Sequence, residues 1–102
     1  PLLDYARSPR PWVTLVTALV PAEACIAAPG LTPVAVAALE HMGRWRVDAR
    51  PTAMEGPCDH ALHITRAQPL PPAPAGWELA GTVRRPTDRG EFTLVYRRQP
   101  HK

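Results

Sequence analysis

The chain has 102 residues, 45% of them apolar, which is typical of one small folded domain over 1–102. Its two cysteines allow one disulfide at most and exclude a disulfide-framework domain, so we expect a reducing, cytoplasmic location. No apolar run approaches the roughly 18 residues that a membrane span needs, and the net charge of +3 is too small to identify a partner by itself.

The N-terminal region predicts an extended lead-in followed by a strand. Residues 1–11 contain three prolines and predict the lead-in. Residues 12–20 are rich in Val, Thr and Leu and are apolar on both faces of an extended chain, which favours a central strand covered on two sides. Residues 22–28 then predict a short helical turn.

The clearest helix signal predicts a helix over about 33–42. Thr32 is a good N-cap, Pro33 occupies the first helical position, and Gly43 offers a left-handed C-terminal cap. The residues between these signals are almost all apolar, so we expect this helix to be largely covered.

Alternating apolar and polar residues predict four further strands, at 44–50, 60–66, 77–84 and 91–97. The last two should form an antiparallel hairpin through the turn-forming residues 85–90. The alternation places Trp77, Leu79, Gly81 and Val83 on one face. Residues 67–76 contain four prolines and predict a stiff surface connector.

Taken in order, these elements predict one α+β domain. A mainly antiparallel sheet of about five strands should carry the helix at about 33–42 on one face. The three tryptophans each open an apolar strand face, so we expect them to form core rather than a platform for a ligand. These residues are Trp12, Trp45 and Trp77.

Cys58, His60 and His63 are the candidate reactive side chains. All three are zinc-ligand types, and Cys58 or His63 are the candidates for catalysis. In a strand, however, His63 projects away from the other two, which works against a shared metal. The triplet that begins at His63 is similar to the His-x-Ser/Thr triplet of two-histidine phosphoesterases, which carry it in pairs, but this chain has one copy. The pattern therefore favours a protein that is not an enzyme and has no cofactor.

Basic residues crowd the C-terminal region and are candidates for binding nucleic acid or another anion. These residues are Arg84, Arg85, Arg89, Arg97 and Arg98. The alternative interpretation is that they form the solvated face of the hairpin and protect an exposed strand edge from aggregation.

The segment AGWELAGTV followed by GEFTLVYRR, within 75–98, resembles the closing half of a small bacterial domain family. The resemblance implies a hairpin in which a Gly-Trp-Glu-Leu strand turns back into a strand that ends in basic residues. It implies no activity, because that family has none assigned.

Three functional hypotheses follow. The first is a non-enzymatic binding or assembly module that self-associates or joins a protein complex, because 12–20 and 33–42 carry more apolar surface than so small a fold needs. The second is a nucleic-acid-binding protein that uses the C-terminal arginines. The third is a small enzyme or metal-binding protein that uses Cys58, His60 and His63.

Overall fold

The computed structural model describes residues 10–66, 71–84 and 91–99, which form an α+β fold with two α-helices and one five-stranded mixed sheet. The predicted fold class is therefore confirmed. The elements in chain order are α1 (Arg10–Thr17), β1 (Cys25–Ala27), α2 (Pro33–Met42), β2 (Arg46–Asp48), a 3₁₀ turn (Ala53–Glu55), β3 (His60–Thr65), β4 (Trp77–Arg84) and β5 (Phe92–Arg98). Within these ranges no helix has the length and apolar character needed to cross a membrane.

The sheet has the strand order β2-β1-β3-β5-β4 and consists of two unlike halves. The parallel half contains β1 and β2, which run parallel to each other and are connected through α2. The antiparallel half contains β3, β5 and β4, and its ladders make the sheet mostly antiparallel. The halves meet where β1 pairs in parallel with β3, at Ile26 with His60 and at Ala27 with Ala61.

The predicted strand at 12–20 is wrong, because this segment forms α1 and the turn after it. Trp12, Val13, Val16 and Val20 are buried at helical spacing, whereas Leu15 is 43% exposed. A short apolar run is compatible with a buried strand and with a helix buried on one side. Its position in the fold determines which of the two it forms. The predicted lead-in also ends early, because α1 begins at Arg10; residues 1–9 lie outside the described residues.

The predicted helical turn at 22–28 is also wrong, because it contains β1. Ile26 and Ala27 are both fully buried, one against each face of the sheet. Three residues are too few for an alternating pattern to be visible in the sequence.

Helix α2 confirms the predicted range of 33–42. The Thr32 side chain accepts a hydrogen bond from the Ala35 N–H at 3.3 Å. Gly43 is not in the left-handed region as predicted; the following residue, Arg44, has a φ of 60° instead. Gly43 is needed for space, because a Cβ there would overlap the Trp45 ring.

Helix α2 is less covered than its composition predicts. Ala38 and Leu39 are buried, but Val34 is 78% exposed and Met42 is 46% exposed. Its apolar residues therefore extend beyond the stripe that faces the sheet.

The remaining strands are confirmed, with β2 shorter than predicted and β5 shifted by one residue. The antiparallel hairpin of β4 and β5 is also confirmed, although its turn at 85–90 lies outside the described residues. An irregularity between Leu79 and Gly81 shifts the register of β4. Gly81 and Val83 consequently face the helices, opposite to Trp77 and Leu79, so the predicted common face is wrong.

The sheet has a core on each face. On the helix side, Trp12 and Trp45 pack with Ile26, Leu62 and Val95. On the other side, Trp77, Leu94 and Tyr96 pack with Cys58 and with short side chains. All three tryptophans are at most 5% exposed, which confirms that they are core residues.

Candidate functional site

Part of strand β3 has no neighbouring strand on one side among the described residues, at the junction of the two halves. Strand β1 ends at Ala27, and residues 28–30 stay hydrogen-bonded to Asp48 and Ala49 on the β2 side, whereas β3 continues to Thr65. Among the described residues, nothing pairs with β3 on this side beyond Ala61. We call residues 62–64 the β3 edge. Because backbone groups of a strand point alternately to its two sides, some N–H and C=O groups of this edge point away from β5 and lack a strand partner here.

A cleft of about 440 Å³ lies on the helix side of the β3 edge. Its walls are mainly apolar and include Trp12, Leu31, Val34, Ala35 and Ile64. Glu91 also lines this helix-side cleft, and its carboxylate lies 3.4 Å from the Arg66 guanidinium. The cleft is therefore suited to an apolar side chain.

A smaller groove of about 250 Å³ lies on the opposite face of the sheet. It is lined by Met54, Tyr96 and three prolines of the connector, Pro71, Pro72 and Pro74. We call it the proline-side groove. Leu62 and His63 line both depressions, so the β3 edge separates them.

His63 is the one sequence-predicted reactive residue that the structure places at this site. Its side chain is exposed and follows the alternation predicted for the strand, on the face opposite to His60. At the edge it can donate or accept a hydrogen bond.

Cys58 and His60 do not lie with His63 at the β3 edge. Cys58 is 1% exposed and forms a disulfide with Cys25, so it offers no thiol to a metal or a substrate. His60 faces the helix side and is paired across the strands with Arg97. Burial of its ring lowers the pKa of His60, with a further lowering from Arg97 that the Asp59 carboxylate opposes.

No three His, Cys, Asp or Glu side chains come together as a metal site in the part of the chain that the structure describes. The prediction that Cys58 and His60 project to the same side is wrong, because Cys58 lies before β3 and packs on the face opposite to the helices, whereas His60 faces the helix side. The disulfide and the strand geometry therefore separate the functional groups of Cys58, His60 and His63.

The two described C-terminal arginines point to opposite faces of the sheet and both have protein partners. Arg97 pairs with Glu78 at 2.6 Å on the helix side. Arg98 donates hydrogen bonds at 2.7 Å to the carbonyl oxygens of Gly56 and Cys58, and its guanidinium lies 4.4 Å from the centre of the Trp77 ring. Arg85, Arg89 and the side chain of Arg84 lie outside the described residues.

Sequence reasoning missed both the β3 edge and the structural role of Arg98. The edge arises because β1 is three residues long and β3 is six. One signal for it is present in the sequence: Pro29 and Gly30 end any strand soon after Ala27, whereas the alternation of β3 continues to 66.

Comparisons of this chain with protein-family models, with curated proteins and with solved structures found no match. The resemblance of 75–98 to a small bacterial family therefore stays a prediction. A functional assignment depends on the geometry of the described residues alone.

Proposed function

We propose that the protein is a small non-enzymatic binding module that holds an extended segment of a partner protein along the β3 edge. The observation that supports this function is the position of the β3 edge, whose backbone has no strand partner within 10–66, 71–84 and 91–99, between two mainly apolar depressions. An added strand satisfies the backbone groups of an edge, and its alternate side chains enter pockets on the two faces of the sheet.

The size of the β3 edge predicts a weak interaction. Three residues span about 10 Å, enough for about two to four main-chain hydrogen bonds. Each such bond contributes about 1 kcal/mol net, so apolar side chains in the cleft and groove must supply most of the affinity. We expect a Kd in the range of about 1 µM to 1 mM.

Self-association is the second candidate, in which another copy of this chain is the partner. Self-association was predicted from 12–20 as a strand with two apolar faces, but this segment forms a helix with one buried side. What supports it now is the set of exposed apolar side chains, and among these Val34 lines the helix-side cleft itself. Sedimentation of the protein as a monomer at about 100 µM would contradict this candidate.

The structure weakens two other hypotheses, nucleic-acid binding and a metal or catalytic role for Cys58. Binding of nucleic acid through the C-terminal arginines now depends on Arg84, Arg85 and Arg89, because Arg97 and Arg98 are engaged with protein groups. A metal or nucleophile role for Cys58 requires a free thiol, which the disulfide removes.

A cytoplasmic location stays a prediction. The disulfide between Cys25 and Cys58 counts against a compartment that keeps thiols permanently reduced, because such bonds persist mainly in oxidising surroundings. Measurement of the thiol content of protein isolated under acid-quenched conditions tests this prediction.

The proposed function is tested with peptides selected from a displayed library of seven-residue sequences. Ala35→Trp fills the helix-side cleft and should weaken binding of a selected peptide at least about tenfold, because it removes the pocket for one anchor side chain. Ala37→Trp is the matched control, because Ala37 lies on the same helix but is exposed and does not line the cleft.

Equal loss of affinity in both variants, or in neither, would contradict the assignment of the site. Circular dichroism on both variants establishes that each still folds. Failure of the library to yield any binder at concentrations up to about 1 mM would contradict the function itself.

A further inference from the structure

The Cys25–Cys58 disulfide joins the two halves of the sheet beside the short ladder that connects them. Cys25 is the first residue of β1, and Cys58 lies two residues before β3. Between these strands, the described pairing is limited to Ile26 with His60 and Ala27 with Ala61. The disulfide therefore adds a covalent connection beside a ladder of two paired positions.

The large side chains packed around the disulfide, Trp77, Leu94 and Tyr96, belong to the antiparallel half, and the share that β1 contributes to this cluster is small. On the face of the sheet opposite the helices, β1 contributes Cys25 and Ala27, and its neighbours there include Ala53 and Ala61. These alanines bury little apolar area, so they contribute little free energy to holding β1 in place. Of the two β1 side chains on this face, Cys25 is the larger and is bonded covalently to Cys58, whereas Ile26 packs in the core on the helix side.

The antiparallel half has separate support. Strands β3 and β5 pair along their whole common length, and β4 and β5 pair from Trp77–Arg98 to Arg84–Phe92. The Cys58 carbonyl is held by Arg98 of β5, so the loop before β3 stays attached to the antiparallel half without the disulfide.

The two cysteines of the disulfide differ in their exposure to solvent. Cys25 is partly exposed, whereas Cys58 is buried at 1% exposure. A dithiol reductant would therefore attack the Cys25 sulfur, since exchange depends on access to the attacked sulfur. The S–S bond breaks, and Cys58 leaves as a thiolate that takes a proton from water. The second thiol of the reductant then displaces Cys25, so two electrons pass to the protein disulfide and the reductant becomes a cyclic disulfide.

We propose that the Cys25–Cys58 disulfide is a redox latch that holds the parallel half against β3. Reduction by a dithiol releases β1 from β3 and leaves the antiparallel half folded. The release lengthens the β3 edge from 62–64 to 60–64, because the partners of His60 and Ala61 are lost. The consequence for partner binding rests on the proposed function, whereas the release of β1 does not.

Hydrogen exchange of the whole chain, followed by mass spectrometry with and without dithiothreitol, tests the latch. Backbone amides in 25–28 and 46–48 should exchange at least about tenfold faster after reduction, and amides in 93–96 should keep their rates. Removal of dithiothreitol and reoxidation should restore slow exchange in the first two segments.

Two results would overturn the latch. Unchanged exchange in 25–28 after complete reduction would mean that the other contacts hold β1 without the bond. Equal acceleration in 93–96 would mean that the bond supports the whole fold rather than one half. The variant with Cys25→Ala and Cys58→Ala should reproduce the reduced pattern without reductant; if it does not fold, the reduced natural protein still decides.

A peptide selected for the β3 edge separates the latch from the proposed function. Tighter binding after reduction supports the lengthened edge. Faster exchange in 25–28 together with unchanged peptide affinity would retain the latch and reject its effect on the edge.

Discussion

The two halves of the sheet are stabilised in different ways. The antiparallel half has strands of six to eight residues that pair along their length. The parallel half has two strands of three residues each, and it depends on α2, on Trp45 and on the Cys25–Cys58 disulfide for its position. The open β3 edge follows from this difference in strand length, because the shorter β1 cannot cover the longer β3.

The largest expected effect in the parallel half is that of Trp45→Ala. Trp45 is 2% exposed, packs on Gly43, and donates from its indole nitrogen to the Pro21 carbonyl at 2.8 Å. Loss of the ring should lower the free energy of unfolding by about 4 kcal/mol, measured by urea denaturation. Trp45→Phe keeps most of the packing and should cost about 1 to 2 kcal/mol. Equal costs for the two substitutions would assign the effect to the hydrogen bond instead.

Removal of the disulfide is expected to have the next largest effect. The bridge closes a loop with a sequence separation of 33, for which loop-closure entropy gives about 4 kcal/mol as an upper value. In the variant with Cys25→Ala and Cys58→Ala we expect the free energy of unfolding to fall by about 3 kcal/mol, measured by urea denaturation under the same conditions. A change below about 0.5 kcal/mol would show that the parallel half does not depend on the bond.

Arg98→Ala tests the connection between β5 and the loop before β3. The substitution removes hydrogen bonds to the Gly56 and Cys58 carbonyls and the contact with Trp77, so we expect a loss of about 2 kcal/mol. Arg97→Ala is the matched control, because the Arg97–Glu78 pair is largely exposed and contributes about 0.5 kcal/mol or less. Equal losses in the two variants would contradict a structural role specific to Arg98.

His60, at the junction of the two halves, should make a smaller contribution to the pH dependence of stability. Burial lowers its pKa in the folded protein, so the unfolded chain binds more protons than the folded chain as the pH falls through the ordinary histidine value of roughly 6.5. Stability should therefore decrease as the pH falls through this range. Denaturation midpoints of the natural protein and His60→Gln, compared between about pH 8 and 5, measure the effect. A decrease of the same size in both proteins would assign it to other groups.

The parts of the fold that carry local signals were predictable from the sequence. Thr32 and Pro33 marked the start of α2, and alternation marked the strands of the antiparallel half. Helix α1 was not predictable, because its apolar run from Trp12 to Val20 fits either a strand or a helix until the neighbouring elements are known. The irregularity at Ala80 also lacked a signal, since one extra residue reverses the faces of Gly81 and Val83 without altering composition.

The candidate site was predictable only in part. Alternation correctly separated His63 from His60 but wrongly placed Cys58 on the face of His60, and the cysteine count allowed one disulfide. Which residues Cys58 and Arg98 contact depends on elements that are distant in the sequence, and the β3 edge depends on the relative lengths of two strands. Such properties arise in the folded chain and are not carried by a short motif.

The most direct test of the proposed site is an isotope-edited NMR measurement on the protein with a bound selected peptide. We predict nuclear Overhauser contacts between backbone protons of the peptide and those of residues 62–64, with peptide side chains contacting Ala35 on one face and Tyr96 on the other. Contacts of the peptide backbone with the outer edge of β4, and none with 62–64, would contradict the proposal that this protein binds its partner along the β3 edge.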